Sequence, residues 1–194
     1  KSNYLVRYGV YDDAIIEKIN EEQTIVSEMN AALQGNQFKM MLQPQYDHSN
    51  GKVVGAEALV RWNHPRKGMI SPGVFIPIFE KNGFITKLDE YIWESACKRL
   101  RKWLDYGGNV VPISVNISRV DVYNVNLCEV FDELTEKYDV PKNLLKLEIT
   151  ESAYMDNPKQ LIEVVTKLRN QGFVVEMDDF GSGYSSLNTL KEVP

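Results

Sequence analysis

Four strand-like segments of this chain alternate residue by residue between apolar and mixed or polar side chains. Over residues 52–61, Val54, Ala56, Ala58 and Val60 alternate with Gly55, Glu57, Leu59 and Arg61. Over 111–116, Val111, Ile113 and Val115 alternate with Pro112, Ser114 and Asn116. Leu145, Leu147 and Ile149 alternate with Lys146, Glu148 and Thr150, and Val175 and Met177 with Glu176 and Asp178. Successive strand residues point to opposite faces, so each strand has one apolar face and one mixed or polar face. An open doubly wound sheet is covered by helices on both sides and wants both faces apolar. A closed barrel keeps its helices outside and admits polar side chains near the mouth of its lumen. The alternation therefore predicts an α/β fold built as a (β/α) barrel, with the active site at the C-terminal strand ends.

Along the chain, residues 1–10 are strand-like, and residues 11–34 read as one helix. Asp12 and Asp13 suit the positive end of its dipole, and Gly35-Asn36 ends it. Ile15, Ile19, Val26, Met29 and Leu33 follow helical spacing on one face. Two readings of this helix stay open: a connector packed on its own domain, or a coiled-coil helix that pairs two copies in a homodimer. Strands at 38–43 and 52–61 flank a turn-rich stretch at 48–51 and make a hairpin-like pair. Helices follow at 72–82 and 86–103, then a strand at 111–116, a helix at 127–138 and a strand at 145–150. A helix at 158–170, a strand at 173–178 and a helix at 185–192 complete the βαβ rhythm of a parallel sheet.

Glu57, Asn116, Glu148 and Asp178 fall at or near the C-terminal ends of their strands, and Asp179 follows directly. Carboxylates crowded into one mouth repel unless cations offset them. Two divalent cations balance about four negative charges, and Asn116 adds a neutral carbonyl ligand. Such a pair clamps a phosphate and acidifies water, which is the chemistry of phosphodiester hydrolysis. Each residue also has a structural reading. A lone strand-end glutamate is usually solvated, and Asp178-Asp179 suits a helix N-cap. Asn116 suits a loop hydrogen bond, and Arg61 a surface ion pair. Recurrence at four successive strand ends favours the metal site.

Composition narrows the chemistry. The only histidines are His48 and His64, and the only cysteines Cys97 and Cys128, too few for a zinc centre rich in those ligands. A hard cation held by oxygens remains. The cysteines lie on separate helix-like segments without a CxxC pair, which reads as buried free thiols in a reducing cytoplasm. The net charge of -5 argues against DNA or RNA as a partner. A small nucleotide suits an acidic chain where local arginines or bound cations offset the repulsion. No apolar run approaches the roughly 18 residues of a membrane span, and no secretory signal opens the sequence.

Six motifs occur in order: QPQY at 43–46, GAEALVRW at 55–62, FIPIFEKNGFI at 75–85, SVNIS at 114–118, LEITES at 147–152 and DDFGSGYSSL at 178–187. Together they resemble the EAL domain family, bacterial phosphodiesterases that open cyclic di-GMP to linear pGpG. The resemblance runs from about residue 37 to the end. It implies a TIM-like barrel with an antiparallel first strand and two Mg²⁺ or Mn²⁺ ions. It also implies Glu57, Asn116, Glu148, Asp178 and Asp179 as metal ligands, with Asp179 on the second ion. Glu151 matches the glutamate that steadies the DDFGSGYSSL loop, and it joins Glu57, Asp178 and Asp179 in the catalytic set. Gln43, Leu59 and Arg61 match substrate contacts, with Arg61 near a phosphate and past the end of its strand.

The family pattern continues with a lysine, a glutamate and a glutamine on later strands, and these have no match here. About five of eight strands are expected in this chain. Residues 35–194 then form the N-terminal two-thirds of an EAL domain that lacks its C-terminal catalytic residues. Residues 1–10, KSNYLVRYGV, resemble the tail of a GGDEF domain, which implies a preceding GGDEF or sensory domain. The implied location is the cytoplasm, with the chain free or part of a larger membrane-anchored protein. The alternative function is a non-catalytic EAL module that binds cyclic di-GMP or regulates a partner.

Overall fold

The computed structural model describes residues 13–150, 153 and 157–178. Residues 1–10, Glu151, Asp179 and the helix expected at 185–192 lie outside them.

Helix α1 (Asp13–Gln34) leads into a six-stranded sheet. The strands are β1 (Phe38–Tyr46), β2 (Val53–His64), β3 (Gly68–Ile70), β4 (Ile113–Ile117), β5 (Leu145–Thr150) and β6 (Val174–Asp178). The order is β1-β2-β4-β5-β6, with β3 hydrogen-bonded to β2 off this path. β1 runs antiparallel to β2, as the hairpin-like opening predicted, and β2, β4, β5 and β6 are mutually parallel. The connecting helices are α2 (Pro72–Asn82), α3 (Ile85–Tyr106), α4 (Arg119–Asn124), α5 (Leu127–Tyr138) and α6 (Pro158–Asn170). No described helix is long and apolar enough to cross a membrane.

Local chemistry explains most boundaries. Pro72 at the first turn of α2 has no backbone N–H to leave unsatisfied. Gly83 ends that helix at φ 77°, a left-handed conformation that strains a residue with a side chain, and so permits the tight junction to α3. Asn157 caps α6 by accepting from the Gln160 N–H, and Ser118 caps α4 by accepting from that of Asp121.

Among the described residues, the apolar strand faces pack against helices on one side of the sheet. Ala58, Ile113, Val115, Leu145, Leu147 and Ile149 meet Trp93, Ala96, Leu100, Phe131, Leu161 and Leu168 in the main core. A second, aromatic core joins Phe38, Trp62, Phe75, Phe79 and Phe84 to Ile25 and Ala32 of α1. The other face of the sheet carries the polar parity, as a barrel lumen requires.

Helix α1 packs on this domain, but not by the whole face expected. Ile25 and Ala32 are buried and Met29 and Leu33 partly so, whereas Ile15, Ile19 and Val26 are exposed. The position of its docking surface rotates the buried stripe toward Ile25. Glu28 fixes the register: His64 Nδ1 accepts the backbone N–H groups of Arg66 and Lys67, which leaves Nε2 to donate to Glu28 at 2.9 Å. Arg66 adds a second donor to Glu28 at 2.9 Å. Cys97 is buried and Cys128 half-buried, both as free thiols.

Candidate active site

The register of the sheet aligns Glu57, Asn116, Glu148 and Asp178 along a diagonal. Glu57 is level with Ser114, Asn116 with Glu148, and Asp178 with Thr150. The site residue therefore climbs the register between β2 and β4 and again between β5 and β6, the stagger that tilted barrel strands produce. One carboxylate oxygen each from Glu57, Glu148 and Asp178 lies within 4.8 Å of the others. The Asn116 Nδ2 donates to Glu57 Oε1 at 3.1 Å, which leaves the Asn116 carbonyl oxygen free of this contact. The four residues predicted from parity thus come together, but Glu57 does so from the middle of β2 and not from its C-terminal end, because β2 runs seven residues further to His64.

Glu148 is the strained member of the group. It is buried, and desolvation pushes its carboxyl up to about 7, helped by the negative charges of Glu57, Asp178 and Glu176. The Ser114 hydroxyl stands nearby and eases the charged form. Neither that hydroxyl nor Glu148 Oε2 closes a hydrogen bond of normal geometry among the described residues. An orphaned, buried carboxylate oxygen beside two further carboxylates suits a hard divalent cation, whose ligands are oxygens and whose charge removes the repulsion. The donor set contains no histidine or thiol, so a softer metal is poorly matched.

Gln43 is the direct cross-strand partner of Glu57, and Leu59 and Arg61 follow Glu57 on the same face of β2. Arg61 does not lie past the strand end. β2 continues to His64 because β3 pairs with its last residues, so Arg61 sits inside the strand opposite Lys39. Its Nη1 donates to the carbonyl of Val60 at 2.8 Å. Asp179 and Glu151 were expected here too, and both lie outside the described residues.

Sequence reading passed over Lys146 and Glu176, which occupy the same polar face. Lys146 Nζ donates to Glu176 Oε1 at 2.6 Å. Their parity was visible, but without the register nothing marked them as neighbours.

The EAL domain family profile matches residues 26–194. The chain is 33% identical over 187 residues to the bifunctional diguanylate cyclase/cyclic di-GMP phosphodiesterase MucR of Pseudomonas aeruginosa, covering 96% of this chain and 27% of that protein. It is likewise 33% identical over 180 residues to the cyclic di-GMP phosphodiesterase NbdA of the same organism, covering 93% of this chain and 23% of that one. It spans about a quarter of the length of these curated relatives. Among solved structures, the PaMucR phosphodiesterase in complex with c-di-GMP superposes with a TM-score of 0.83 at 34% identity, over 88% of this chain and 69% of that one. EAL domains have a TIM-like barrel fold, and the antiparallel β1 followed by parallel β2, β4, β5 and β6 fits it.

Proposed function

The chain belongs to the EAL domain family, and from that premise we propose that it builds the cation-binding half of an active site that hydrolyses cyclic di-GMP to linear pGpG. The observation that carries the reading is the convergence of Glu57, Glu148 and Asp178 within 4.8 Å, with Asn116 hydrogen-bonded to Glu57. Every one of these positions holds an oxygen donor, which favours an enzyme over a module that only reads the nucleotide. Two Mg²⁺ or Mn²⁺ ions held there, with Asp179 on the second, would polarise the phosphodiester and acidify a water.

The protein's own groups do the rest. Asn116 orients the Glu57 carboxylate through its amide. Burial of Glu148 among like charges keeps that carboxylate short of partners and so receptive to a cation. Arg61 carries a planar fork of donors on the Glu57 face, and release from the Val60 carbonyl frees it to meet a phosphate in bidentate fashion. Leu59 offers an apolar contact and Gln43 an amide, both flanking Glu57. The family resemblance assigns Glu151 to the catalytic set as the glutamate that serves the DDFGSGYSSL motif. The same reading sets a GGDEF segment before α1, supported by the resemblance of residues 1–10, and a cytoplasmic location, supported by two free thiols.

The test is turnover of cyclic di-GMP by the intact protein in Mg²⁺ or Mn²⁺, with EDTA and Glu57→Gln as controls. Formation of pGpG that stops in both controls supports the reading. Undiminished hydrolysis by Glu57→Gln defeats it.

A further inference from the structure

Lys146 and Glu176 lie on the lumen face with the cation-site carboxylates, yet among the described residues the group able to hold a cation is Glu57, Glu148 and Asp178. The register makes the exclusion of Glu176 notable. Glu176 on β6 is the direct cross-strand partner of Glu148 on β5. Two carboxylates at paired positions repel, and each is well placed to share a nearby cation. Lys146 lies two residues before Glu148 on the same face, one layer lower in the lumen. Its ammonium takes the Glu176 carboxylate at 2.6 Å.

We propose that Lys146 is a positioning residue for the cation site, holding Glu176 out of the ligand set, while Glu176 in turn holds the Lys146 ammonium off Glu148. The inference rests on the cation site proposed above. The side chains of Lys146 and Glu176 remain 23% and 37% exposed, so either is free to swing if its partner is lost. The two losses act in opposite directions. Without Lys146, Glu176 becomes a fourth anionic group beside Glu148, and the site loses a neighbouring cation. Without Glu176, the Lys146 ammonium turns to Glu148 and competes with the metal. Without both, the lumen returns to its original net charge.

The experiment is a Mn²⁺ titration by calorimetry on the intact protein, with cation-free melting in EDTA for each variant. Lys146→Met should bind Mn²⁺ about 10-fold more tightly and Glu176→Gln about 10-fold more weakly, as expected for one unit charge moved beside a partly screened site. The double variant should return to within about 3-fold of wild type, because the paired charges cancel. Lys146→Arg should retain wild-type affinity. A purely structural pair would lower melting temperature in both single variants and leave Mn²⁺ affinity unchanged. That result, or shifts of the same sign, overturns the inference while leaving the cation site intact. If the wild type binds no Mn²⁺, the cation site and this inference fall together.

Discussion

The side-chain amide of Asn116 donates to Glu57 Oε1 at 3.1 Å, tying the end of β4 to the middle of β2. Trp93 in α3 donates its indole N–H to the backbone carbonyl of Asn116 at 3.0 Å, so the residue itself is held from behind. Asn116→Ala should cost about 10- to 100-fold in cation affinity or turnover, the range for groups that orient metal ligands. Mn²⁺ titration and a cyclic di-GMP assay check this. Wild-type values in both would remove Asn116 from the site.

Glu148→Gln should stabilise the cation-free protein while weakening cation binding. The folded pKa of Glu148 is raised to about 7 against an ordinary 4.5. A raised carboxyl pKa costs nothing below the unfolded value, because both states are then protonated. The cost grows as pH rises toward 7 and is complete above it. The glutamine removes that cost, so the gain should be about 1–3 kcal/mol at pH 8 and vanish near pH 4. Urea denaturation in EDTA at the two pH values reads it. An equal gain at both would show that charge is not the cause.

A second carboxyl pair predicts a separate pH effect. Asp121 is fully buried and accepts from Ser118 Oγ at 2.6 Å and Thr86 Oγ1 at 2.5 Å. Desolvation, together with the neighbouring Asp121 carboxyl, holds the Asp89 carboxyl well above the usual range. Stability should therefore fall as pH rises from about 4 through the raised pKa of Asp89. Asp89→Asn has no carboxyl proton to lose, so its stability curve should be flatter over that span. A variant that keeps the wild-type slope would place the titrating group elsewhere.

Arg61→Ala should raise KM for cyclic di-GMP about 10- to 100-fold, the loss expected for a charge-assisted bidentate contact to phosphate. Mn²⁺ affinity should stay within about 3-fold, because no metal ligand is touched. Unchanged nucleotide affinity in calorimetry would take Arg61 out of the substrate contacts.

What the sequence determined by itself is local. Pro72, Gly83 and helical periodicity place α2, and the apolar spacing of Leu127–Tyr138 and Pro158–Asn170 places α5 and α6 at the bounds expected. Strand parity is local as well, since it needs only alternating residues, and it put Glu57, Asn116, Glu148 and Asp178 on one face. The tertiary structure decided whatever depends on a partner. β2 runs on to His64, carrying Arg61 inside the strand, because three residues of β3 pair with its end. Those three residues and the six of α4 are too short to announce themselves by periodicity. Helix α1 is amphipathic in sequence, but the position of α2 and β2 chose Ile25 over Ile15 and Ile19 for burial. The site itself depends on register. Parity supplies the face, whereas the pairing of neighbouring strands sets which residues share a level. That pairing draws three carboxylates from distant segments within 4.8 Å and gives Glu176 to Lys146.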